Sequence, residues 1–300
     1  MKLQISNIHK SFSDIPILKG ITFSVQSGEA MGFLGRNGAG KTTTLRALMG
    51  VFHQDKGEFL VDGRPFVPGE HKVGYLPEER GLYPKESIED QLVYFGRLRG
   101  GDKTELLKNV EYWLDRVQLS QYRKKNLETL SKGNQQKIQI IQTLMNDPDI
   151  IILDEPFSGL DPVNSMILKD IILDLIAQKK LVIFSSHQMN YVEEFCDEIT
   201  LIDQGEIILS GNLTKIKREK GKNRIRIASA NSSAEITNAL HTFGLVEIQR
   251  DAQSYILSLP AGTNHQIALQ QLLAKNIDII SFSPYLPNLT DIFVETVGEL

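Results

Sequence analysis

Residues 35–42 read Gly-Arg-Asn-Gly-Ala-Gly-Lys-Thr, and the fold is decided here. The stretch matches G-x-x-x-x-G-K-[ST], a loop that wraps phosphate with its own backbone. The apolar run Ala30-Met31-Gly32-Phe33-Leu34 precedes it as a buried strand would. Helix formers follow from Thr42 to Met49, and Gly50 stands where that helix should stop. Gly35, Gly38 and Gly40 remove side chains, so successive N–H groups, those of Arg36, Asn37 and Ala39 among them, can close on phosphate oxygens. The positive end of the following helix points at the same anion. Lys41 reaches the β- and γ-phosphates, and the Thr42 hydroxyl, next to Thr43, suits Mg²⁺. A chance glycine-rich turn would not bring strand, loop and helix in this order.

Residues 150–155, Ile-Ile-Ile-Leu-Asp-Glu, form a second apolar strand, ending in two carboxylates. Ligands of a parallel sheet bind at the carboxyl ends of its strands, which places Asp154 beside the phosphate loop, touching Mg²⁺ directly or through water. Glu155, one residue on, points differently, as a base for an attacking water must.

Between these stretches lies Leu130-Ser131-Lys132-Gly133-Asn134-Gln135-Gln136, which resembles the L-S-G-G-Q signature of ATP-binding cassette (ABC) ATPases. Ser131 should cap the next helix, whose buried face is Ile138, Ile141, Leu144 and Met145. The resemblance implies that Ser131, Lys132 and Gly133 close over the ATP held by a second subunit, either another copy or a paralogous ATPase. It further implies that Ser158-Gly159-Leu160-Asp161 touches that subunit, that His187 contacts the γ-phosphate, and that Phe12 stacks on adenine. Two positions depart from the family pattern. Lys132 and Asn134 replace Gly and Gln, while Ser131 and Gly133 remain. Glu78, after Val73-Gly74-Tyr75-Leu76-Pro77, stands where the family usually has Gln. A carboxylate is a hard oxygen ligand suited to Mg²⁺, but it adds negative charge near the γ-phosphate.

Three hundred residues suit two domains. A net charge of −4 without a basic face gives no support to nucleic acid as a partner. The single cysteine, Cys196, excludes an intrachain disulfide and fits a reducing compartment. The opening Met1-Lys2-Leu3-Gln4-Ile5-Ser6-Asn7 alternates like a strand and does not read as a signal peptide. No apolar run approaches the roughly 20 residues that span a bilayer, so any membrane path belongs to another chain.

The order of elements is α/β: a mixed-sheet P-loop domain over 1–215 with a helical insertion over about 84–145. Within the insertion, Ser87 caps a helix bearing Ile88, Leu92, Phe95 and Leu98. A second stripe is Leu106, Leu107, Val110, Trp113, Leu114 and Val117. The resemblance implies that a groove beside Arg80–Pro84 receives a helix from a multi-span membrane permease. The charged run from Lys215 to Arg224 reads as a helix end and linker. Beyond it, over 222–300, the expected strands and helices fall in the order β-α-β-β-α-β, a ferredoxin-like α+β domain: strand 223–229, helix 234–243, strand 245–250, turn 251–252, strand 254–259, helix 265–275, strand 277–282. The final piece, Pro287 to Glu295, resembles the tail of bacterial sodium- and drug-efflux ATPases.

Taken together, these features lead us to expect an ABC-transporter ATPase subunit at the cytoplasmic face of a bacterial plasma membrane. Its ligands are ATP and Mg²⁺, and it powers export through a separate permease, with sodium or a small toxic amphiphile implied as cargo. Glu155, Lys41 and His187 carry the chemistry; Thr42, Asp154 and Glu78 face the metal. The rival is a soluble ABC ATPase of translation or DNA repair. Translation-type members carry two cassettes and repair-type members long coiled coils, and this chain shows one cassette and no sustained heptads. A catalytically silent regulator rests only on Glu78 and Lys132.

Overall fold

The computed structural model describes residues 1–298 apart from 80, 231–235, 237–245, 252–253 and 261. It divides into two compact units, Met1–Leu213 and Thr214–Leu300.

The first unit opens with a long hairpin, β1 (Lys2–Phe12) and β2 (Ile15–Gln26). Phe12 pairs with Ile15 across a two-residue turn, and Ser13 and Asp14 both have positive φ, 47° and 66°. That is the conformation whose twist matches paired strands, and Asp tolerates it better than most residues. With β4 (Lys56–Val61) and β5 (Arg64–Pro65) the hairpin forms an antiparallel sheet ordered β2-β1-β4-β5.

A second sheet is built on β3 (Ala30–Leu34), β6 (Val73–Leu76), β7 (Ile150–Asp154), β8 (Leu181–Ser186), β9 (Glu198–Asp203) and β10 (Glu206–Asn212), ordered β10-β9-β3-β8-β7-β6. All neighbours pair in parallel except β9 and β10. Strands β3, β7 and β8 are buried at every residue, which is why they read as continuous apolar runs instead of alternating. One core joins the two sheets, with Leu3, Ile5 and Phe23 packed with Phe33, Leu45, Ile152 and Ile183. Ile152 is fully buried in the strand that carries Asp154. Ile152→Ala should therefore cost about 2–5 kcal/mol, read by denaturant unfolding through Trp113, the single tryptophan. A loss under about 1 kcal/mol would mean the site can collapse around the cavity.

Helix α1 (Lys41–Leu48) follows the phosphate loop. The helical insertion holds α2 (Ile88–Leu98), α3 (Lys103–Arg116) and α4 (Lys132–Leu144). Ser87, Asp102 and Ser131 cap them, each side chain accepting an N–H of the first turn. Ile88 and Leu92 are buried, whereas Leu98 is 66% exposed. At about 100° per residue Leu98 is turned roughly 80° from Ile88 and about 120° from Leu92, off the buried face of α2. The stripe of α3 faces inward at Leu106, Val110 and Leu114. Helices α5 (Pro162–Ala177) and α6 (Met189–Phe195) complete the unit.

The charged run is mostly helix, α7 (Leu213–Lys220). In the second unit, β11 (Arg224–Ser229), β12 (Val246–Asp251), β13 (Ser254–Ser258) and β14 (Ile279–Pro284) form an antiparallel sheet ordered β12-β13-β11-β14. That is the ferredoxin-like order, with the first strand between the third and fourth. Helix α8 (His265–Ala274) starts at Asn264, whose side chain accepts from Ile267 N–H. The expected helix over 234–243 lies almost wholly outside the described residues, as does Ala252 of the expected turn. The tail is a helix, α9 (Leu289–Gly298), and Asn288 accepts from Asp291 N–H at its start. Arg224 pairs with Glu295, fastening this helix to β11.

Candidate active site

Backbone geometry shapes the phosphate loop. A Cβ on Gly35 would sit 2.3 Å from the Ile202 carbonyl oxygen, so no larger residue fits. Gly40, with φ of 111°, caps α1, and a Cβ there would meet Leu18 at 2.8 Å. Between them Arg36, Asn37 and Gly38 are exposed, while Ala39 is buried. Ala39 accepts from Gly205 N–H at 3.0 Å, which ties the loop to the β9–β10 turn.

Lys41 is buried, and its Nζ donates to the carbonyls of Gly35 (2.8 Å) and Arg36 (3.2 Å). Glu155 Oε1 lies 3.4 Å from the same ammonium. Glu155 sits just past β7 with φ of 51°. A non-glycine residue in the left-handed region costs roughly 1–2 kcal/mol, and such strain concentrates at functional positions. The turn swings its carboxylate out of the strand direction. Its Oε2 receives His187 N–H at 3.4 Å and lies 2.8 Å from His187 Nδ1. The Glu155 side chain is only 7% exposed against 42% for His187, and Oε1 has no hydrogen-bond partner. The loop cation, the carboxylate and an imidazole thus converge on one point.

Asp154 is fully buried. Oδ1 accepts the Ser185 hydroxyl, whose oxygen in turn accepts Glu155 N–H at 3.0 Å. Oδ2 has no partner. Burial pushes the Asp154 carboxyl above its ordinary range, the Ser185 and Thr42 hydroxyls oppose this, and Glu78 and Glu155 reinforce it. An orphaned buried carboxylate oxygen next to a threonine hydroxyl, in a field of carboxylates, calls for a cation. Among the described residues no three His, Cys, Asp or Glu side chains form a metal cage. Thr42 and Asp154 thus fit Mg²⁺, which is held by one or two protein ligands and completed by phosphate and water, and do not fit a metal caged by protein alone. Glu78 lies in the exposed loop after β6, close enough to raise Asp154 but not bonded to it. Tyr75, on β6, is held neutral: burial first and then Asp154 push its phenol to about 12.

Ser131 caps α4, its Oγ accepting from Asn134 N–H. Asp161 caps α5 in the same way at 2.9 Å. Ser131 turns its hydroxyl to the first turn of its own helix, and among the described residues no hydrogen bond or ion pair links it to Lys41, Asp154, Glu155 or His187. Phe12, at the hairpin tip, is 44% exposed. Ser185 is the participant whose role sequence reasoning left out. Its only signal was Ser185-Ser186 at the end of an apolar strand, and its role depends on β8 lying beside β7, where Asp154 pairs with Ser185.

This fold and site define a P-loop nucleotide-binding ATPase. An ABC transporter family model matches residues 18–158, and the C-terminal domain of DrrA1-3-like ATP-binding proteins matches 211–297. The chain is 39% identical over 299 residues to the uncharacterized ABC transporter ATP-binding protein YhaQ of Bacillus subtilis, covering 99% of each chain. It is 32% identical to the linearmycin resistance ATP-binding protein LnrL of the same organism, covering 99% of this chain and 98% of that one. A solved ATP-binding subunit of an ABC transporter superposes with a TM-score of 0.69 at 25% identity, over 80% of this chain and 100% of that structure. The chain belongs to the ABC transporter ATP-binding proteins, and it is an ATP-hydrolysing subunit. No helix among its described residues is long and apolar enough to cross a membrane.

Proposed function

We propose that two copies of this chain, or one copy and a paralogue, enclose two ATP molecules. Each ATP lies between Gly35–Thr43 of one subunit and Ser131–Gly133 of the other. The convergence of Lys41, Glu155 and His187 within one chain supports the hydrolytic site, and the resemblance of Ser131–Gly133 to the signature of the family supports its sharing between subunits. Glu155 takes the proton of the attacking water. His187 orients the carboxylate and senses the γ-phosphate, while Lys41 neutralises developing charge. Thr42 and Asp154, with Glu78 at the rim, face Mg²⁺, which when bound supplies counter-charge to the phosphates. Phe12 stacks on the base.

Opening and closing of the pair drives export through a separate multi-span permease, with this chain held peripherally at the membrane. The tail resemblance supports sodium or a small toxic amphiphile as cargo, and the name of LnrL, a linearmycin resistance protein, is in keeping with the second. An exposed ring at this place, Tyr83 stacked parallel on Phe95 at 5.8 Å, supports docking of the permease beside it. The test is what co-purifies with the chain from detergent-solubilised membranes. A multi-span permease supports the reading; ribosomes or DNA would end it.

Glu78 makes a sharper claim. Near both metal and γ-phosphate, its charge is favoured by one and opposed by the other. Glu78→Gln should weaken the dependence of hydrolysis on Mg²⁺, raise the basal rate or leave it unchanged, and reduce stimulation by the permease. The measurement is ATPase rate against Mg²⁺ with and without the membrane partner. Superimposable curves and equal stimulation would leave Glu78 a solvent-facing residue.

A further inference from the structure

A ring at the tip of a hairpin is a poor stacking plate unless something holds it, because tips are where backbone motion concentrates. Phe12 is such a ring, and the hairpin that carries it is tied down by a residue far away in sequence. The Asp55 carboxylate accepts Lys10 Nζ at 2.9 Å and Ser11 N–H at 2.6 Å, and Asp55 N–H donates to the His9 carbonyl at 2.8 Å. The Lys10 ammonium and the Ser11 N–H hold the Asp55 carboxyl below the usual carboxylate range. Lys10 is thereby drawn inward, its side chain only 15% exposed. Its ammonium lies 5.3 Å from the Phe12 ring centre and 5.6 Å from that of Phe52. The two rings meet edge to face, 5.3 Å apart at 83°. Phe52 lies just beyond the C-terminal end of α1, whose N-terminus carries the phosphate loop.

We infer that Lys10 and Phe52, clamped by Asp55, are positioning residues that hold the Phe12 ring flat for a nucleotide base, and that they act on nucleotide affinity only through that ring. This rests on the reading of Phe12 as the base-stacking residue. The cation fixes one aspect of the ring and the edge-on phenyl another, leaving the exposed part for the base. A ring fixed before the base arrives loses less conformational freedom on binding.

The test compares ATP with inorganic tripolyphosphate, which has the phosphates and no base, by calorimetry on the full chain without Mg²⁺ so that nothing turns over. Phe12→Ala should weaken ATP about tenfold or more and leave tripolyphosphate unaffected. Lys10→Met should weaken ATP about two- to fivefold and Phe52→Leu about two- to tenfold, again with tripolyphosphate unchanged. Lys10→Arg, which keeps the cation, should retain the parent affinity. In the Phe12→Ala background both further losses should vanish. If Phe12→Ala leaves ATP binding intact, the stacking reading falls and the inference falls with it. If Phe12→Ala weakens ATP but Lys10→Met and Phe52→Leu do not, only the brace is wrong. Losses that persist without Phe12, or that extend to tripolyphosphate, also overturn it, because they mean a general disturbance of the domain.

Discussion

Glu155→Gln is expected to bind ATP as the parent does and to hydrolyse it ~10²–10⁴-fold more slowly, the usual worth of a general base. The substitution keeps the shape. An amide oxygen can still accept from His187, which now meets Oε2 at 2.8 Å, so the imidazole stays in place. What disappears is the capacity to take a proton, together with the negative charge 3.4 Å from Lys41. Losing that charge removes a repulsion toward the γ-phosphate, so affinity should hold or tighten. With closure intact and turnover stalled, the variant should accumulate as an ATP-bound dimer, seen by light scattering after gel filtration. Single-turnover hydrolysis near the parent rate would remove Glu155 from the role and turn attention to Glu78.

The sequence spoke most clearly where a rule of spacing or burial acts locally. The loop from Gly35 to Thr42 needs glycines at fixed positions because Ile202 and Leu18 approach its backbone, so its pattern survives in the sequence. The fully buried strands at 30–34 and 150–154 show as unbroken apolar runs. Ser87 and Ser131 announce their helices because an N-cap needs a short polar side chain. What stayed hidden depends on strand order and on distant pairs. Ser185 matters only because β8 inserts between β3 and β7, and no local pattern states that order. Lys10 and Asp55 are 45 positions apart. The left-handed turn at Glu155 is invisible to propensity, since glutamate is a poor choice for it and tertiary contacts impose it. Leu98 continues the three-residue steps from Phe95 yet is exposed, because successive steps of three drift around the helix and off the face of Ile88 and Leu92. The tail helix at 289–298 carries the same kind of signal in its cap Asn288, but the Arg224 pairing that holds it is read only in three dimensions.

Ser131→Arg separates a site shared between subunits from a helix that merely supports one. Ser131 is exposed at the start of α4, and the fold gives it no contact with Lys41, Asp154 or Glu155 of its own chain. If Ser131 serves a partner's ATP, an arginine there puts bulk where a γ-phosphate must dock. Hydrolysis should fall by about 10²–10³-fold or more, the scale on which losing one preorganised donor acts. ATP affinity of the isolated chain should stay within about twofold of the parent, because Lys41 and the loop amides are untouched. The substitution also removes a helix cap, worth about 0.5–2 kcal/mol, so unfolding must be measured alongside. Ser131→Asp restores a capping side chain while placing a negative charge against the phosphate, and it should be as inactive as the arginine variant. Mixing parent chains with Ser131→Arg chains sharpens the outcome. A mixed pair keeps one intact composite site, so an excess of parent should recover part of the activity that each Ser131→Arg subunit supplies through its own Lys41 and Glu155. If Ser131→Asp hydrolyses ATP like the parent, or if both variants lose ATP affinity together with hydrolysis, the start of α4 serves its own domain and the shared site is wrong.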